Sequence, residues 1–166
     1  MNCDLNAGMR FAIIGRFFRH EMDEAGAKND LTGVQMMVMG QLHKLESSGM
    51  EEIRQRDLEK AAHLGHPTMT EIIKRLEKKG FVECGVSRTD RRSKAIRSTP
   101  RAHALHLELE EVDRRVFDSL CQGMDEGEQQ RLLSAMDHML KNAFTTMGKE
   151  MCHDNDYKAL QLSARV

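Results

Sequence analysis

The amino-acid sequence predicts a mainly α-helical chain carrying one small β-hairpin, and three observations support that fold class. Only 4% of the 166 residues are aromatic, with no Trp and one Tyr, while Met supplies 13. Together with plentiful Ala and Leu, that composition favours helix. Apolar residues recur at steps of three and four along most of the chain, the period of an amphipathic helix. The period gives way to a strand-like pattern just after Gly80.

Residues 9–22 place Phe11, Ile14, Phe17, Phe18 and Met22 at helical spacing among charged residues. This first helix is amphipathic and must pack against something else. After the polar run Lys28-Asn29-Asp30, a second helix opens at Leu31-Thr32, where Thr32 or Asp30 can cap the free amides. Its expected buried side is Val34, Met37, Met39, Leu42 and Leu45, with Met36, Met37 and Met39 read as core, and Ser47-Ser48-Gly49 ends it. Residues 56–64 repeat the apolar step at Leu58, Ala61, Ala62 and Leu64. Gly65-His66 breaks the pattern, and Pro67 suits the first turn of a new helix. Ile72, Ile73 and Leu76 give residues 67–79 one buried stripe closed by Gly80. Two helices joined by a tight turn, the second polar at its exposed N-terminal end, are the sequence image of a helix-turn-helix.

Residues 81–86 then read as a strand, 87–93 as a charged turn and 94–99 as the returning strand. A lone hairpin is not stable, so it must rest on the preceding helices as a wing. Beyond Pro100, Leu105, Leu109, Val112, Val116 and Leu120 form one narrow seam. Leu132, Met136, Met139, Ala143 and Met147 form another after a break at residues 123–127. Seams of this kind call for a second copy of the chain. The expected organisation is an N-terminal dimerisation helix (1–30), a winged helix-turn-helix region (31–100), C-terminal dimerisation helices (101–150) and a tail (151–166), all in one compact domain.

The net charge of −1 conceals an asymmetry: residues 71–101 hold ten basic side chains against four acidic ones, +6, leaving −7 elsewhere. Positive charge so concentrated fits a bound polyanion. No apolar run is long enough to span a bilayer and no signal peptide is evident, so a cytoplasmic protein without membrane contact is expected. Cys3, Cys84, Cys121 and Cys152 show no CxxC pair, which suggests reduced thiols. There is no Gly-rich phosphate loop, nucleophile elbow or HExxH, so no enzyme and no cofactor are expected. His103 and His106 lie three apart on one helix, but two ligands do not make a metal site, and none is expected.

The run Arg56-Asp57-Leu58-Glu59-Lys60, the segment Pro67-Thr68-Met69-Thr70 through Leu76-Glu77-Lys78-Lys79-Gly80-Phe81-Val82, and the turn Asp90-Arg91-Arg92-Ser93-Lys94 agree in order and spacing with the MarR family of winged helix-turn-helix regulators. The resemblance covers residues 31–105 in detail and the flanking helices by type. It implies a homodimeric regulator, usually a repressor, that binds a palindromic operator in double-stranded DNA. It also implies release when a small aromatic or anionic effector enters a cleft between the dimerisation and DNA-binding regions. Three positions depart from the family pattern. Pro100 and Ala102 follow Ser98-Thr99, so the fifth helix must start differently. Arg54 stands where a capping Thr or Ser is common, leaving that helix start less well capped. His63 occupies a turn position where Gly is common.

Duplex DNA asks for cations on one surface and short polar groups at a helix N-terminus that can enter the major groove. Thr68, Thr70 and Lys74 are assigned to the groove, with His66 as a phosphate or base contact. Arg88, Arg91, Arg92 and Lys94 belong to the wing, where a guanidinium can enter the minor groove. Asp90 is assigned to orient that turn by holding Arg92 or the backbone. Two alternatives stand beside this reading: a winged-helix module that binds protein and not DNA, and a redox-sensing regulator using Cys3.

Overall fold

A computed structural model describes residues 5–87 and 94–147 of the chain. Helix α1, Ala7–Lys28, begins at Asn6, whose side chain accepts the Met9 N–H. It runs past the expected residue 22 because Ala25 and Gly26, which carry little periodic signal, are buried. A Cβ at Gly26 would run into the Met36 thioether, so glycine permits the close approach of α1 and the next helix. The turn that follows holds Asp30 at a positive φ of 55°. Helix α2, Gly33–Ser47, starts with a reciprocal capping box between Thr32 and Gln35. That cap orients Val38, Met39, Leu42 and Leu45 inward. Val34, expected in the core, is instead 48% exposed: it stands in the first turn of α2, where it lines an open groove shared with α1 and α5.

A two-residue strand, β1 at Ile53–Arg54, leads into α3, Gln55–Ala62. It was not predictable from periodicity, which two residues cannot display. At the start of α3 the Asp57 carboxylate accepts the Arg54 N–H at 2.9 Å, the half of a capping box that the third helical residue supplies, while Arg54 itself offers no acceptor to the first helical amides, as expected from the absent Thr or Ser. His63 ends α3 in the left-handed region (φ 51°, ψ 41°), the conformation the family's glycine would take without strain. Helix α4, His66–Lys78, carries Pro67 in its first turn and buries Met69, Ile72, Ile73 and Leu76. Gly80, at φ 74°, turns the chain into β2, Val82–Val86.

Strand β3, Lys94–Ser98, lies between β1 and β2 in an antiparallel sheet. Cys84 and Ile53 both face Ile96 in register, and the β2–β3 ladder ends with Val86 opposite Lys94. The start of the next helix is indeed built in its own way. Thr99 caps α5, Pro100–Leu120, by accepting the Ala102 N–H, and its hydroxyl donates to the Gly80 carbonyl at 2.7 Å. Pro100 occupies the first turn, where its missing N–H is no loss.

Two cores result. The larger gathers Val38, Leu42, Leu58, Met69, Leu76, Phe81, Ile96 and Leu105 from α2, α3, α4, the sheet and the first turns of α5. The smaller joins Ala25 of α1 to Val112 and Val116 of α5, with Phe18, Met22 and Leu109 against them. Leu120, expected in the α5 seam, is 41% exposed in the last turn. Helix α6, Glu126–Met147, buries none of its described side chains, and Leu133, Met136, Met139 and Leu140 are exposed along it. No described helix is long and apolar enough to cross a membrane.

Candidate nucleic-acid interface

The buried stripe of α4 fixes which of its residues face outward. With Met69, Ile72, Ile73 and Leu76 inside, Thr68, Thr70, Lys74 and Lys78 are all exposed. The helix N-terminus is also at the surface, its Gly65 cap providing no side chain to occupy the first amides. An anion or a base edge approaching there meets unpaired N–H groups and the positive end of the helix dipole.

Around this N-terminus the sequence reading missed a network. The amide nitrogen of Gln55, the first residue of α3, lies 2.9 Å from Glu59 Oε1 and 2.7 Å from Thr70 Oγ1. His66 Nδ1 sits 2.7 Å from the same Glu59 oxygen. Thr70 also donates its hydroxyl to the His66 carbonyl at 2.8 Å. His66 and Thr70 are therefore brought together and tied to α3, so their polar atoms position the helix as well as facing outward. Thr68 has no side-chain partner among the described residues. Gln55 carried no signal in the sequence, because its partners lie up to 15 positions away.

The basic segment divides by what its charges touch. Arg75 pairs with Glu71 at 2.9 Å. Lys79 pairs with Asp30 Oδ2 at 3.2 Å and also contacts the Asp30 carbonyl, fastening α4 to the α1–α2 turn. Arg101 donates to the Lys79 carbonyl at 2.8 Å and lies 4.4 Å above the Phe81 ring, a cation–π contact. These three hold the fold together. Lys74, Lys78, Lys94 and Arg97 are exposed and make no side-chain hydrogen bond or ion pair among the described residues, so their charge is available to a ligand. Lys94 opens β3 at the last rung of the wing. The base of the wing is held by Ser87, whose hydroxyl donates to Glu52. Arg88, Asp90, Arg91 and Arg92 lie outside the described residues.

Two further sequence readings meet the structure here. Burial and the neighbouring Glu77 push the Cys84 thiol up to about 11, the opposite of what a reactive thiolate needs, and Cys121 is buried. Cys3 lies outside the described residues. His103 and His106 do not stand alone as expected: His43 of α2, 60 positions earlier, lies between them, its ring 3.7 Å from that of His106 and 6.3 Å from that of His103. Spacing within one helix could not reveal this third imidazole, which comes from another helix.

The arrangement defines a class: a winged helix-turn-helix unit, α2 to β3, mounted on long helices. Residues 29–93 match the sequence profile of the MarR family. The HTH-type transcriptional regulator SarZ of Staphylococcus haemolyticus is 26% identical over 117 residues, covering 70% of this chain and 75% of that protein. Two solved structures share the fold. MepR, a transcription regulator of the Staphylococcus aureus multidrug efflux pump MepA, superposes with a TM-score of 0.69 at 20% identity, covering 84% of this chain and 99% of that one. A complex of S. aureus MepR with DNA gives 0.64 at 22% identity over 80% and 96%. This chain has the winged-helix fold of those proteins, and its residues 29–93 are similar to the MarR family.

Proposed function

We propose that this protein is a sequence-specific DNA-binding transcriptional regulator that acts as a homodimer on a palindromic operator, as a repressor. The observation that carries the reading is α4: an uncapped, exposed N-terminus followed by Thr68, Thr70, Lys74 and Lys78 on the face opposite the core. In this reading Thr68 and Lys74 address the major groove, while His66 and Thr70 hold the helix end in place through Gln55 and Glu59. Lys94 and the wing arginines Arg88, Arg91 and Arg92 supply phosphate and minor-groove contacts, with Asp90 orienting the turn. The comparison with MepR bound to DNA supports the DNA-binding part.

The exposed apolar side chains Phe11, Ile14 and Phe17 of α1 and Met136, Met139 and Leu140 of α6 support the homodimer. A second copy would cover surface that a soluble monomer rarely leaves open. A small-molecule effector enters the same reading through a groove of about 1010 Å³ between α1, α2 and α5. Phe18, Met22, Val34, Met36 and Leu109 give it an apolar wall. Asp23, Glu110 and Asp113 outnumber Arg19 on its rim, which favours an aromatic effector over an anionic one.

The test is a salt titration of DNA affinity for Arg92→Ala and Lys74→Ala beside the parent protein. Both should make the slope of log affinity against log salt shallower by about one unit per half-site, Arg92→Ala weakening operator and random DNA alike and Lys74→Ala weakening the operator more. Operator sequence comes from sequencing fragments that the purified protein selects. Unchanged affinity and slope in folded variants would remove DNA as the ligand and leave the protein-binding module.

A further inference from the structure

The junction of α2 and α5 holds a group of side chains that DNA recognition does not use. His43 and Glu46 stand one turn apart on α2, and His103 lies in the first turns of α5. One ligand atom from each lies within 4.8 Å of the other two. Glu46 Oε1 accepts the Ser98 N–H of β3 at 2.7 Å, while its Oε2 is buried with no hydrogen-bond partner. A buried carboxylate oxygen left unpaired is costly and calls for a cation or a donor. A cavity of about 40 Å³ lined by His43, His103, Ser98, Ala102 and His106 has room for an ion and a water.

We propose that His43, Glu46 and His103 bind one divalent transition-metal ion, zinc(II) by preference, with a fourth coordination position open to water. Two imidazoles and a carboxylate are ligands zinc takes at about 2.0–2.2 Å, whereas calcium and magnesium prefer oxygen alone. His106 stacks on His43 and pairs with Glu110 at 3.1 Å, which positions the His43 ring from outside. Tetrahedral bonds of that length separate ligand atoms by about 3.3 Å, so the ion would draw the three groups together by at most about 1.5 Å. The ion would thus join α2 and, through Glu46, β3 to α5. Any effect of the ion on DNA affinity rests on the reading above; the binding site itself does not.

The experiment titrates full-length, chelator-stripped protein with cobalt(II), read by its visible absorption, and with zinc(II) in competition with a chromophoric chelator, without DNA. One ion per chain is expected, with a cobalt spectrum of low coordination number and a higher melting temperature on zinc addition. His103→Gln, at an exposed position, and Glu46→Gln, which keeps an acceptor for Ser98, should each weaken zinc by about tenfold or more and abolish the thermal shift. His138→Gln on α6 should change neither. Failure to take up zinc at micromolar concentration, or uptake that both His103→Gln and Glu46→Gln leave intact, overturns the site. Metal uptake without any DNA binding would leave it standing and remove only the regulatory consequence.

Discussion

Phe81, between α4 and β2, is wholly buried, whereas Phe11 on α1 keeps 53% of its surface exposed. The same contrast runs through the two regions around them. In the winged-helix unit Val38, Leu42, Leu58, Met69, Leu76 and Ile96 are each at most 1% exposed, and polar contacts at three helix starts, those of α2, α3 and α5, hold the elements that carry them. Along the N-terminal half of α1 and along α6, side chains of similar size and hydrophobicity, among them Ile14, Phe17, Leu133, Met136, Met139 and Leu140, stay exposed. One region satisfies its apolar residues within the chain; the other has the pattern of a helix pair whose partner lies outside it.

The most disruptive way to test this contrast is Phe81→Ala. It should cost about 3–5 kcal/mol of unfolding free energy, measured by denaturant titration, because the ring fills a closed core and also carries the Arg101 contact. The truncation Phe11→Ala should cost the isolated chain far less. Ile14→Glu attacks the other region: it should leave the far-ultraviolet dichroism unchanged and weaken dimerisation about tenfold or more in sedimentation equilibrium, since about 1.5–3 kcal/mol of burial per protomer is lost. A folded, undiminished dimer would show that the α1 stripe faces solvent by design. Asp57→Ala, which removes the acceptor at the start of α3, should lower stability by about 1 kcal/mol without touching either apolar region.

The smallest effect is one of pH. His43 is held low by burial and by His106 and His103, against the opposing pull of Glu46 and Glu110. The folded state therefore binds this proton less readily than the unfolded chain, and stability falls as pH drops below the ordinary histidine range near 6.5. In chelator-treated buffer the melting temperature should decline from pH 7 to pH 5, and His43→Gln should flatten part of that decline.

The contrast also explains what could be read in advance. The α4 stripe of Ile72, Ile73 and Leu76 and the turn at Gly80 were legible because helix period and turn chemistry are local. The exposed α6 seam was legible too, whereas the α5 seam was misread as needing a second copy: Leu105, Val112 and Val116 are buried against this chain's own α1 and core. Val34 was misplaced because a helix with Met36, Met37 and Val38 beside it offers several stripes, and the Thr32 cap and the α5 contact choose among them. The Gln55 network and the His43 group were illegible for a different reason. Both join residues from separate elements, and a polar side chain carries no periodic signal that says which distant partner it will meet.

The joint at Thr99 has a mechanical consequence. Thr99 donates to Gly80 and accepts from Ala102, while Arg101 grips the end of α4 through Lys79, so the last turn of α4 and the first turn of α5 move as one piece. The 21 residues of α5 rise about 31 Å. A helix of that length is a lever arm: tilting it by about 10° at the far end swings α4 through roughly 5 Å, about one and a half base-pair steps of duplex DNA. If α4 lies in a groove as proposed, small changes of angle among the long helices are enough to carry it out of step with the groove's spacing.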